Sequence, residues 1–259
     1  MDIILILIFF LLGISVGSFL NVVADRVPAG KSIVRPPSHC FNCGHELQPP
    51  DLFPIVSYLL LRGKCRYCRK PFSARSMLVE LAAGLLFALA FFTFGVSWQL
   101  AAVIIFISFY IVLFITDLEQ CILPRVIVYP GIGLALALAL SNPLTGIMPN
   151  IADSAAGLGL SSGFFLLLWA VPRLFKKSIM GFGDVGMAGL VGASVGFPLA
   201  LLALGIAILA GALTAAILLL WKLKKFNEPM QFGAFLAFAG LITLFYGNDI
   251  FDACSQLLW

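Results

Sequence analysis

The sequence predicts an all-α polytopic membrane protein with about eight transmembrane helices and one small polar loop domain. Of its 259 residues, 61% are hydrophobic and only 11% are charged, whereas an ordinary soluble domain has about 25% charged residues. The mean hydropathy is +1.08. A soluble core of this length cannot bury so much apolar surface, so the composition excludes the soluble classes of protein.

Hydropathy predicts the positions of the eight helices to within a few residues. The first segment lacks the basic start and the small-residue cleavage site of a signal peptide, so we expect it to be retained. A helix of about 20 residues crosses the bilayer core, and two of the segments are shorter than this. The predicted spans are 3–23, 77–95, 98–116, 126–141, 151–171, 185–197, 199–221 and 232–248.

The basic residues predict the orientation of the chain. The loop between the first two spans holds 9 of the 16 lysines and arginines, and short clusters follow the third, fifth and seventh spans. With eight spans and both ends outside, every cluster faces the cytoplasm, as the positive-inside rule requires. The chain therefore divides into a first helix (1–23), a cytoplasmic loop domain (24–76) and a membrane core (77–259).

Two aspartates are candidate catalytic residues. Asp117 ends the third span, and Asp184 precedes the sixth within Gly181-Phe182-Gly183-Asp184. The predicted topology places both at the cytoplasmic membrane surface. Two neighbouring carboxyl groups do not readily ionise together, so one activates water while the other polarises a carbonyl, as in aspartic peptide hydrolysis. Gly181 and Gly183 let the backbone turn and approach another segment closely.

Other interpretations of these carboxylates stay open. Acidic residues near helix ends are often solvated interfacial groups, and Asp153 is a typical example. Glu119 lies close to Asp117, but no glycine motif accompanies it. A proton-coupled transporter also carries carboxylates in its helices, although it places them nearer the midplane between inverted repeats. The sequence has no such repeat.

Four cysteines in the loop domain predict a metal site. Cys40 and Cys43 form one CxxC pair, Cys65 and Cys68 form another, and 21 residues separate the pairs. Two such pairs make a tetrahedral, closed zinc site with a structural role. The reducing cytoplasm favours metal over disulfides. Alternatively, the cysteines are a redox-active or inert set, with His39 or His45 as a possible substitute ligand. If the protein were a zinc-binding membrane scaffold without catalytic activity, it would need this site but not the aspartates.

The order of the motifs resembles the type IV prepilin peptidases, within the GxGD class of intramembrane aspartyl proteases. The matching segments are 17–22, 26–28, 37–40 with Cys43, 53–59, 62–68, 73–75 with Glu80, 117–118 with 123–124, and 181–185. The match differs at two positions. Gly186 stands where the family usually has lysine, and Arg125 stands where it often has an acidic residue or asparagine.

The resemblance implies a specific activity. Asp117 and Asp184 match the catalytic aspartates, and the four cysteines match the zinc-binding domain. The expected enzyme removes the basic leader of prepilins and pseudopilins of type IV pili and type II secretion, cutting after a glycine. It then methylates the new N-terminus with S-adenosylmethionine, for which no binding motif maps onto the sequence. The expected location is the bacterial inner membrane, with prepilins and the lipid bilayer as partners and no nucleic acid; the oligomeric state is unknown.

Overall fold

The computed structural model describes residues 2–145, 149–174, 180–221 and 231–258. Within them the chain is helical and contains no β-strand, apart from two isolated bridges in the loop domain. The helices are α1 (Asp2–Arg26), α2 (Val56–Leu60), α3 (Arg75–Phe94), α4 (Trp98–Gln120), α5 (Arg125–Thr145), α6 (Ile151–Leu174), α7 (Phe182–Val195), α8 (Leu199–Leu220) and α9 (Phe232–Leu258).

Eight helices correspond one to one with the predicted spans, which confirms the predicted class of all-α, multi-pass membrane protein. Six of them are long and apolar enough to cross a bilayer, and the other two carry shorter apolar stretches, Arg125–Ser141 within α5 and Phe182–Val195 in α7. Helix α9 continues past the predicted end at residue 248 to Leu258. Asp249 and Asp252 lower the hydropathy there without interrupting the helix.

Some positions used for the predicted orientation cannot be compared. Lys176, Lys177, Lys222, Lys224 and Lys225 lie outside the described residues. The sidedness of the chain therefore stays a prediction. The described chain forms two compact units, Met1–Leu100 and Ala101–Trp259.

In the first unit, α1 and α3 pack closely through small residues. A β-carbon at Gly17 would lie 2.9 Å from the Ala83 Cβ, and one at Gly84 would lie 2.8 Å from the Ile14 Cγ1. Small residues let helix backbones approach in a membrane, where packing replaces the hydrophobic effect as the driving force. The loop domain joins the ends of these two helices.

In the second unit, α7 is a central helix. Eleven of its 14 residues are buried, and the backbones of Gly157 in α6 and Gly192 in α7 touch. The Tyr110 hydroxyl of α4 hydrogen-bonds the Ser194 hydroxyl of α7 at 2.5 Å. This bond joins the middle of α4 to the C-terminal end of α7.

Candidate active site and metal centre

The structure brings Asp117 and Asp184 together inside the second unit. Asp117 lies in the last turn of α4 and is 4% exposed, and Asp184 lies in the first turn of α7 and is 7% exposed. The two carboxylates are close enough for direct charge repulsion. Both residues lie inside helices rather than just beyond them, because α4 runs on to Gln120 and α7 starts at Phe182.

The start of α9 supplies backbone donors to this pair. The Ala234 N–H donates a hydrogen bond of 2.7 Å to the Asp117 Oδ2. The Gly233 backbone interacts with both carboxylates. These N–H groups belong to the first turn of a helix, where they have no partner within the helix and are free to bind an anion. They hold the two carboxylates in one place.

Gly233 lies directly against the Asp117 carboxylate, and the sequence did not predict it as a site residue. A β-carbon there would lie 3.0 Å from both the Cγ and the Oδ2 of Asp117. Any larger side chain therefore displaces the carboxylate. The sequence indicates this role only weakly, because Gly233 and Ala234 are simply two small residues near the start of the last apolar segment. Gln231 strengthens the connection, because its Nε2 donates to the Leu118 carbonyl at 3.1 Å.

The two glycines of the motif act differently from each other. A β-carbon at Gly183 would lie 3.0 Å from the Leu123 Cβ, so α7 approaches the segment after α4 closely there. Gly181 is the N-cap residue of α7 with φ −77° and ψ 152°, which any residue adopts. The close approach expected of these glycines is found at Gly183, whereas the backbone at Gly181 does not require glycine.

The residues that depart from the family pattern also lie beside the motif. The Arg125 guanidinium lies 5.8 Å from the centre of the Phe182 ring, within reach of a cation–π contact. A β-carbon at Gly186 would lie 3.1 Å from the Val128 Cγ1. Gly186 thus lets α5 approach α7, and Arg125 covers the aromatic residue between the two motif glycines.

The four loop cysteines form one cluster in the first unit. All four Sγ atoms lie within 4.8 Å of one another, and the Cys40 and Cys68 sulfurs are 3.8 Å apart. Zinc–sulfur bonds of ~2.3 Å in a tetrahedron put sulfurs about 3.8 Å apart. The cluster is therefore spaced to hold a metal ion. Cys121 and Cys254 lie outside it.

The two halves of the cluster repeat one backbone pattern. The Cys40 N–H donates to the His45 carbonyl and the Gly44 N–H to the Cys40 carbonyl; the same two bonds recur, 25 residues later, from Cys65 to Lys70 and from Arg69 to Cys65. The residue after the second cysteine has positive φ in both turns, +70° at Gly44 and +56° at Arg69. Each tight turn aims its two sulfurs at the same point.

The two thiols of the first turn differ in pKa. The Cys43 backbone N–H lowers the pKa of the Cys40 thiol to about 6, which favours the thiolate that binds metal. A hydrogen bond to the His45 backbone lowers the pKa of the Cys43 thiol, but burial and the neighbouring thiols outweigh it and raise this pKa to about 11. His39 and His45 take other partners. The His39 Nδ1 lies 3.1 Å from the Pro37 carbonyl, and the His45 ring contacts Tyr67. Among the described residues, the metal-ligating group consists of the cysteines alone.

A multi-pass membrane protein with two facing, buried aspartates on neighbouring helices has the construction of an intramembrane aspartyl protease. Two family models match the sequence. The Bacterial Peptidase A24 N-terminal domain covers residues 11–94, and the Type IV leader peptidase family covers residues 104–216. No solved structure matches significantly.

Individual relatives match nearly the whole chain. The Pseudomonas aeruginosa protein "Prepilin leader peptidase/N-methyltransferase" is 34% identical over 93% of this chain and 90% of its own length. A Bacillus subtilis protein of the same name is 31% identical over 94% of this chain and 95% of its own length. The chain belongs to the type IV leader peptidase family. The protein is accordingly an enzyme.

Proposed function

We propose that the protein is an aspartic endopeptidase that removes the leader from prepilins and pseudopilins, with Asp117 and Asp184 as its catalytic pair. The observation that carries the proposal is a pair of buried carboxylates that interact electrostatically and share the Gly233 backbone. Neighbouring carboxyl groups do not readily ionise together, so the pair keeps one proton. One then takes a proton from the attacking water, and the other donates a hydrogen bond to the scissile carbonyl.

The substrate class follows from the names of the relatives and from the position of the aspartate pair. A prepilin leader precedes an apolar helix, so its cleavage site lies at the end of a membrane span. Asp117 and Asp184 each lie within one turn of a helix end. A substrate that shares the bilayer is already aligned with these ends, which lowers the entropic cost of positioning it. Such placement at helix ends favours a peptidase over a transporter.

We place the metal cluster and both aspartates on the cytoplasmic side of the bacterial inner membrane. The support is the basic loop of residues 24–76, since basic residues are retained inside. The cluster would hold zinc through Cys40, Cys43, Cys65 and Cys68, leaving no open coordination position. Zinc there would fix the loop fold. Single cysteines at Arg62, Arg125 and Asn248, probed with an impermeant thiol reagent, test the sidedness: only Asn248 should label from outside.

We further propose N-methylation of the cleaved N-terminus, the second activity in the relatives' names. S-adenosylmethionine supplies the methyl group when it is bound. The aspartate pair is assigned to cleavage, so the methyl donor would bind at a site of its own.

The test of the peptidase is cleavage of a prepilin leader by purified protein. Asp184→Asn should abolish cleavage, because asparagine keeps the shape of the side chain and removes its ability to exchange a proton. Glu119→Gln is the matched control, since it removes an exposed carboxylate from the same end of α4 and should leave cleavage unchanged. Near-normal cleavage by folded, metal-loaded Asp184→Asn protein would reject the assignment.

A further inference from the structure

The first unit contains a large cavity separate from the cysteine cluster. Its volume is about 730 Å³, and its walls come from the end of α1, the loop domain and the start of α3. Small-molecule sites typically have volumes of ≈ 300–1,000 Å³. The aspartate pair lies in the second unit and contributes nothing to the lining. The cavity is therefore of the right size for a ligand that the peptidase reaction does not use.

A buried polar atom in the wall has no hydrogen-bond partner among the residues that the structure describes. Asn21 is 6% exposed, and its Nδ2 donates to the carbonyls of Gly17 and Ser76, each at 3.2 Å. Its Oδ1 is buried and accepts no hydrogen bond from any described residue. Leaving a buried acceptor without a donor costs about 1–3 kcal/mol. A ligand with an N–H group would satisfy it.

A buried carboxylate lies in the same wall. Glu80 is 7% exposed, and its Oε2 accepts a 2.7 Å hydrogen bond from the Ile55 N–H. Ile55 has φ 60° and ψ −51°, which is an unfavourable conformation for a β-branched residue. Glu80 thus holds a strained segment of the loop against the cavity. Strained backbone that the surroundings maintain is typical of ligand sites.

The charges around the cavity define the ligand further. Two of its three acidic side chains are already paired, Asp25 with Arg75 and Asp51 with Arg66, both at 2.6 Å. Glu80 forms no ion pair with a basic side chain in the part of the chain that the structure describes. Four further basic residues line the cavity: Arg26, Lys31, Arg35 and Lys64.

Aromatic rings complete the lining. Phe41 and Phe53 both contribute to the cavity wall, and both are largely exposed. Exposed rings at a cavity offer a face on which a flat heterocycle stacks. The cavity therefore combines a stacking surface, basic groups for a carboxylate, and one buried carboxylate with a neighbouring acceptor for a cationic group.

We propose that this cavity binds S-adenosylmethionine, with Glu80 and Asn21 at its cationic methionine end, the basic side chains at its carboxylate and the phenylalanines at its adenine. The inference rests on the methyltransferase half of the proposed function and gives it a site. The ligand carries all three features that the lining selects. A basic leader peptide fits less well, because basic side chains outnumber acidic ones around the cavity.

Equilibrium binding of S-adenosylmethionine to the purified full chain in lipid nanodiscs tests the proposal. Wild-type protein should bind saturably, with one ligand per chain. Glu80→Gln keeps the size of the side chain and removes its charge, so the Kd should rise about tenfold or more. Glu46→Gln changes an exposed acid of the loop domain that is absent from the lining, and its Kd should match the wild-type value. Metal content and thermal unfolding check that each variant is folded.

Ser57→Trp provides a second variant that does not depend on Glu80. Ser57 lines the cavity, so an indole there should occupy it and weaken binding by about tenfold or more. Absence of saturable binding by wild-type protein, or wild-type affinity in both variants, would overturn the proposal. So would binding of a leader peptide in place of the methyl donor. Prepilin cleavage is scored separately on the same preparation, which distinguishes failure of the cavity assignment from failure of the peptidase.

Discussion

The cysteine site and the aspartate site are built in opposite ways. Each pair of cysteines comes from one short turn, whose own backbone hydrogen bonds aim two sulfurs at one point. The aspartates come from helices more than 60 residues apart in sequence, and a third helix supplies the Ala234 donor. Local turns define the first site, whereas tertiary packing defines the second.

This difference determines how each site responds to mutation. A tight turn and its metal ion fold together, so loss of one ligand loosens the whole loop. The aspartate pair lies in a helical core fixed by other contacts, such as the hydrogen bond between Tyr110 and Ser194. We expect a change to an aspartate to remove activity while the fold stays intact.

The largest expected effect is on cleavage. Asp117→Asn should lower kcat/KM for leader cleavage by about 10³-fold, since removal of a proton-transfer group costs 10²–10⁴-fold. The metal content should stay at the wild-type level, as measured by elemental analysis of the same sample. Loss of metal from Asp117→Asn would mean that the two sites are not built independently.

The complementary variant is Cys65→Ser. Cys65 is buried in the four-cysteine cluster, so the substitution should release most of the proposed metal and lower the unfolding temperature of the loop. Cys254→Ser is the control, because that residue is exposed and outside the cluster, and it should change neither quantity. Full metal retention by Cys65→Ser would refute the four-cysteine site.

Gly233→Ala probes the backbone support of the aspartates. The added methyl group would contact the Asp117 carboxylate, and we expect kcat to fall by about 10- to 100-fold with little change in KM, since a small displacement of a catalytic group has effects of this size. Gly205→Ala is the control, because a β-carbon there meets no atom within 4 Å. Equal activity in the two variants would remove Gly233 from the site.

The smallest effect compares the two cysteine turns. Gly44 and Arg69 both have positive φ. A β-carbon at Gly44 meets no atom within 4 Å, so alanine there would be disfavoured only by its backbone conformation. Gly44→Ala should destabilise the metal-bound loop by about 1 kcal/mol, and Arg69→Gly should stabilise it by a few tenths to about 1 kcal/mol. Chemical denaturation measures both. Changes of the same sign would show that the turns are not equivalent.

The contrast also explains what the sequence could predict. The CxxC spacing indicates a metal site because both ligands of each pair lie within one turn, and hydropathy locates the helices because membrane spans need long apolar segments. The aspartates were predicted because charge is costly beside a membrane span. The Ala234 N–H that donates to Asp117 was not predicted, because this hydrogen bond depends on how the start of α9 packs against the end of α4.

The cavity was missed for a similar reason. Asn21 and Glu80 each stand alone in an apolar helix, and only the pairing of α1 with α3 brings both to one wall. No local pattern marks them as neighbours. A lone polar residue in such a helix is a signal of function, but it does not name its partner. Both residues lie in segments that match the family, but only the structure shows that they share a cavity wall.

The central claim is that Asp117 and Asp184 act as one catalytic unit. The direct measurement is a double-mutant cycle on kcat/KM for leader cleavage, with Asp117→Asn, Asp184→Asn and the double variant prepared with full metal content. Residues that act together give non-additive losses, so we predict that the double variant is within about threefold of either single variant. Losses that multiply, or near-normal cleavage by either single variant, would contradict the account.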